Sequence, residues 1–235
     1  MKALAIILGV VLALGVAFVW AFPTYSHRYR LTVEVDTPEG VRSASSVIEV
    51  VRKDERWVLI AQGAYVYRVH GEAVFVDLGG GRNVIALLAH GPNGTNVDQM
   101  ISLGIEAYGH FKWDQDAWTG RTKMQGPVTL KAPLIPTFVT FSDLSDPKTA
   151  RVVPPDAFEK VFGPGVHLRS VTLEMVPSGT WPFTWLGWPR SLAGVPVTRG
   201  IEAKLPMLKT HRDWMRRINS RPNQFTPQYH LFKRS

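Results

Sequence analysis

An uncharged run of twenty residues, Ala3 to Phe22, precedes a chain in which apolar and polar positions mostly alternate with a period of two. In "YRLTVEVDTPEGVRSASSVIEVV", apolar Leu31, Val33 and Val35 interleave with Thr32, Glu34 and Asp36, the pattern of a half-buried strand. "TPEG" supplies a turn, and Ser46 to Val51 returns as a second strand. "RWVLIA", "AYVYRV", "EAVFVDL" and "NVIALLA" follow as short β-rich runs separated by glycine-containing breaks, so the first half reads as an antiparallel sheet or meander. Val97 to Tyr108 changes period: Val97, Met100, Ile101, Ile105 and Tyr108 recur at helical spacing, with Asn96 as its cap and Gly104 weakening it. Proline-broken strands come next, then a short helix in "PPDAFEKVFGPG", a strand in "HLRSVTLEMV", and helices in "VTRGIEAKLP" and "LKTHRDWMRRI". The expected class is α+β: an N-terminal transmembrane helix over 1–24, a β-rich antiparallel domain with a few short helices over 25–203, and a basic, aromatic tail over 204–235.

The uncharged run would cover roughly 30 Å as a helix, the thickness of a bilayer's hydrocarbon core. Twelve of its residues are Leu, Ile, Val or Phe, which favours insertion, and its length favours a retained anchor over a cleaved export signal. Arg28 and Arg30 outnumber Lys2 at its ends, which tips the expected placement, a single-pass protein of the bacterial inner membrane, towards a domain facing the cytoplasm. Ala5, Gly9, Ala13, Ala17 and Ala21 recur every fourth position, a spacing that would let two such helices pack as a homodimer.

Composition narrows the chemistry. Cysteine is absent, which excludes disulfides, thiolate metal sites and a cysteine nucleophile. The net charge of +8 sits almost wholly in the last residues, where Lys204, Lys209, Arg212, Arg216, Arg217, Arg221, Lys233 and Arg234 face one acid, Asp213. That basic surface would suit anionic lipid or an acidic protein partner, and a nucleic acid is the partner it favours least.

Four segments invite functional readings. "DLGGGRN" lacks the pattern of a phosphate loop and reads as a hairpin turn. "AHGPNG" has no nucleophile elbow to accompany it and reads as a turn into a helix. "HFKWDQDAW" gathers His110, Asp114 and Asp116, the best catalytic candidates in the chain, although no third ligand at metal spacing is present and a solvated polar turn is the better reading of them. Trp181, Phe183, Trp185 and Trp188 crowd a Pro/Gly-punctuated loop that could lie at a membrane interface, stack a sugar or fold back as a satellite core. No cofactor or metal is implied.

The blocks "YRLTVEVDTPEGVRSASSVIEV", "GEAVFVDLGGGRNVIALL", "TFVTFSDLSDPKTARVV", "FGPGVHLRSVTLEM" and "PVTRGIEAKLP" resemble a family of uncharacterised bacterial proteins, mainly proteobacterial and membrane-anchored. That resemblance implies a bacterial source and one continuous domain, and it carries no activity. The expected role is a membrane-anchored binding, scaffold or accessory protein, the alternatives being a membrane-tethered hydrolase of an envelope component or a periplasmic carbohydrate-binding module.

Overall fold

The structure, a computed structural model, describes residues 2–21, 24–54, 65–112, 114–179, 183–186, 188–219 and 224–234. Strands β1 (Thr24–Thr37) and β2 (Gly40–Asp54) form a long antiparallel hairpin whose turn falls at Pro38 and Glu39. They join β3 (Tyr65–Glu72), β6 (Pro127–Thr129), β9 (His167–Val176) and β10 (Lys233–Arg234) in a six-stranded sheet of order β10-β3-β2-β1-β9-β6. A second sheet, of order β4-β5-β7-β8, contains β4 (Val74–Gly79), β5 (Arg82–Ala86), β7 (Phe138–Phe141) and β8 (Ala150–Val153). All pairings are antiparallel. The helices are α1 (Lys2–Ala21), α2 (Gln99–Glu106), α3 (Gln115–Trp118), α4 (Phe158–Phe162), α5 (Phe183–Leu186), α6 (Arg190–Ala193), α7 (Ile201–Lys204), α8 (Met207–Thr210) and α9 (Arg212–Arg217).

The inward residues of β1, Tyr29, Leu31, Val33 and Val35, pack with Ile48 and Val50 of β2 against Val74, Val76 and Leu78 of β4. These side chains bring the two sheets into one core, closed along one side by Met100, Leu103 and Ile105 of α2. The second sheet is covered on its other face too. Ile85, Leu87 and Ala89 point away from the first core and meet Ile201, Leu205, Leu208 and Met215 together with Tyr229, Leu231 and Phe232. That double burial is why "VIALLA" (84–89) is apolar at every position rather than at alternate ones. The segment 204–235, expected as a basic aromatic tail, thus forms the third layer over its described residues, and Phe232 is fully buried.

The spanning anchor expected over 1–24 is overturned: among the described residues no helix is long and apolar enough to cross a membrane. With the span go the transmembrane part of the fold class, the single-pass inner-membrane placement and the choice of membrane face derived from it. What stands is a β-rich protein of two antiparallel sheets with short helices. Of the small-residue stripe, Gly9, Ala13 and Ala17 are exposed, and the side chains of Ala5 and Ala21 lie outside the described residues.

Candidate functional site

The inward face of the six-stranded sheet changes character along its length. Residues directly opposite one another on antiparallel strands share a face. The register therefore lines up His27, Val50 and Val69, and one row further out Tyr25, Arg52 and Tyr67. Aliphatic packing gives way there to an aromatic and cationic end. Arg52 is 2% exposed, and its guanidinium sits 3.8 Å from the centre of the Tyr65 ring, 5.5 Å from Trp118 and 5.9 Å from Tyr25. Its Nη2 donates to Gln115 Oε1 at 2.7 Å, while Nε has no partner.

Helix α3 supplies the lid over this row. Asp114 accepts from the backbone N–H groups of Asp116 and Ala117 at 3.0 and 3.2 Å, a side-chain cap that turns the chain into α3 and delivers Trp118. Trp118 Nε1 donates to Lys112 O at 2.7 Å, and its ring packs 5.0 Å from His27 and 5.4 Å from Tyr67. Helix α2 closes the other side. Asn96 Oδ1 accepts from Gln99 N at its start, and Gly104 lets its backbone seat against β1: a Cβ there would lie 3.0 Å from Tyr29 Cδ1 and 3.2 Å from His27 Nε2. The glycine that weakens this helix by propensity is what allows it to dock.

Between Tyr67 and Trp118 on one side and the outer face of α2 on the other lies a cleft of about 360 Å³. Gln99, Ser102 and Glu106 of α2 line it, Ile101 adds an apolar spot, and Asn96, Asp98 and Lys112 stand around it. Gln99 Nε2 donates to Glu106 Oε2 at 2.6 Å, which holds an amide and a carboxylate next to one another. Tyr67 keeps 37% of its surface exposed, and Phe111, next to Lys112, keeps 79%.

The segment "HFKWDQDAW" meets this cleft through Lys112 and Trp118, whereas His110, Asp114 and Asp116 do not line it. His110 Nδ1 lies 3.3 Å from Asp114 Oδ2, and Asp116 pairs with Arg121 at 3.3 Å on an exposed turn. The carboxylate of Asp114 is engaged in capping, so Asp114→Ala is expected to cost about 1 kcal/mol of stability. A denaturant titration checks this, and an unchanged midpoint would refute the cap. No group of three His, Asp or Glu side chains is positioned to hold a metal among the described residues.

The remaining predicted residues are spread over the surface. Phe183 is half-buried in α5 and Trp188 is exposed, while Trp181 and the side chain of Trp185 lie outside the described residues. Arg212 pairs with Glu202 at 3.1 Å, Arg216 stands 5.0 Å over the Tyr229 ring, Arg217 Nε donates to Asp213 O and Lys209 is exposed; Arg221 lies outside the described residues. "DLGGGRN" forms the β4–β5 hairpin turn, with Gly79, Gly80 and Gly81 all at positive φ. Tyr67, Asp98, Gln99 and Glu106 carried no sequence signal of a site: the first continues a strand's alternation, and the others read as the polar face of a helix. No protein-family model matches the chain, and no curated protein and no solved structure matches it.

Proposed function

We propose that this protein acts by binding, and that it takes a small polar ligand in the cleft between β3 and α2. One observation carries the reading: an exposed tyrosine backed by a buried tryptophan faces a helix whose amide, hydroxyl and carboxylate groups converge on the same space. Ligand sites are built this way, from an apolar wall and a few placed polar groups, and about 360 Å³ falls near the lower end of the usual range of roughly 300–1,000 Å³. The His110 and Asp114 pair, engaged at a helix cap outside that space, lends nothing to a hydrolytic reading.

A fragment library titrated into the isotope-labelled full chain tests this. Amide shifts are expected to cluster at residues 67, 99, 102 and 106, and Tyr67→Ala is expected to abolish them while leaving the rest of the spectrum in place. Clustering elsewhere, for instance in the proline-lined groove between Pro133 and Pro154, would overturn the proposal.

A further inference from the structure

Resting on the cleft as the ligand site, we infer that its ligand is a saccharide, a neutral ring whose hydroxyls both donate and accept hydrogen bonds. Three features of the cleft point to this class rather than to an ion or an apolar molecule.

The first is the division of labour between its walls. Tyr67 offers a partly exposed aromatic face, and the exposed Phe111 is the chain neighbour of Lys112, which lines the cleft. A pyranose ring has a patch of C–H groups that covers such a face while its hydroxyls point away, the match of an apolar body with polar edges that aromatic side chains favour.

The second is the kind of polar group on the facing wall. Gln99 supplies both a carbonyl and an amide, Ser102 a hydroxyl, and Glu106 and Asp98 carboxylate oxygens. An ammonium group could serve only the acceptors and a carboxylate ligand only the donors. A row of vicinal hydroxyls serves both, and the hydrogen bond between Gln99 and Glu106 holds an amide and a carboxylate next to one another in the cleft.

The third is charge. Asp98 and Glu106 would draw a cation, but cationic side chains stand at and near the cleft as well. Lys112 lines the same cleft, and Arg52 lies behind Trp118 at 5.5 Å from its ring. Arg234 reaches Val97 O at 3.5 Å and feels the Asp98 carboxylate. Opposite charges gathered around one cleft offset part of each other's field within it, so neither sign of ion gains the large Coulomb term that would make it the preferred occupant.

The site differs from the tryptophan loop over 181–188, which the sequence offered as a sugar platform. It is a lateral cleft at one end of the main sheet, sized for one ring or two.

The test titrates the full chain at pH 7 with a panel of hexoses, N-acetylhexosamines and their disaccharides, and with choline and acetate as charged controls, read by amide shifts. Saturable shifts at residues 67, 99, 102 and 106 are expected with at least one sugar. Tyr67→Ala should weaken that sugar by about tenfold or more. Glu106→Gln, which keeps one acceptor oxygen, should weaken it less. Shifts at these residues with choline or acetate and with no sugar would overturn the saccharide and leave the cleft standing. Silence from the whole panel would also overturn the saccharide, and the fragment titration then decides separately whether the cleft is a site at all.

Discussion

Acidification from pH 7 to pH 4 is expected to remove several kcal/mol of folding stability, and two buried histidines account for most of it. His27 sits between Tyr29, Trp118 and Gly104 with neither ring nitrogen hydrogen-bonded, and burial lowers its pKa from 6.5 to about 4. His90 is buried as well; one nitrogen meets Leu134 O at 3.0 Å, the other has no partner, and burial brings its pKa to about 4 despite that carbonyl and the Glu106 charge. In the unfolded chain both would protonate near pH 6.5. The folded state resists the proton, so stability is full above pH 6.5 and is lost as the pH falls towards 4, where it levels off for these two groups. Each shift corresponds to about 3 kcal/mol.

Urea midpoints measured at half-unit pH steps would display the slope, and His27→Leu should remove one proton's share of it. A variant whose stability falls with pH as steeply as the parent's would show that His27 is not held neutral. Glu202 adds to the loss at lower pH: the hydrogen bonds from Lys233 and Tyr229 hold its carboxyl below the ordinary value, so its contribution disappears as the pH drops through that range.

Replacing Glu72 with alanine should have the largest single-site effect, a loss of about 3–5 kcal/mol. Glu72 is 1% exposed at the end of β3, where its Oε2 accepts from Ile201 N at 2.7 Å and its Oε1 stands 3.6 Å from Lys233 Nζ. Lys233 in turn donates to Glu202 at 3.0 Å, and Glu202 also accepts from Tyr229 at 2.9 Å and Arg212 at 3.1 Å. One carboxylate therefore pins the start of α7 and the terminal strand β10 to the edge of the main sheet. Its removal leaves a buried N–H without an acceptor and a partly buried ammonium with a single counter-ion.

Glu72→Gln keeps an acceptor for Ile201 and should cost less than alanine. Combined with Lys233→Met it should cost less than the two changes summed, because the second removes the charge that the first strands. Chemical denaturation checks all three, and a Glu72→Ala variant within 1 kcal/mol of the parent would show that the third layer is held by its apolar contacts alone.

Strand positions were the most legible part of the sequence, because alternation in "LTVEV" and "HLRSVTLEMV" records which side of a strand faces the core. The glycine turn at 79–81 was legible too, since only residues tolerant of positive φ suit it. The candidate site was less so. "HFKWDQDAW" does border the cleft, but through Lys112 and Trp118, while its conspicuous polar trio serves a helix cap and surface pairs. Tyr67 and Glu106 lie 39 positions apart in the chain and belong to elements that each look ordinary alone.

The basic segment shows the same limit. Its count of Lys and Arg suggested a surface for an anionic partner, yet Lys233, Arg212 and Arg234 are engaged by partners within the protein, and Tyr229, Leu231 and Phe232 fill the second core. By itself the sequence determined local structure: strand periodicity, turns, helix caps and the exclusion of thiol chemistry, all set by residues within a few positions of one another. The tertiary structure alone decided which charges are paired, which histidines are held neutral and where the cleft lies, because burial and pairing depend on residues that only the folded sheets bring together.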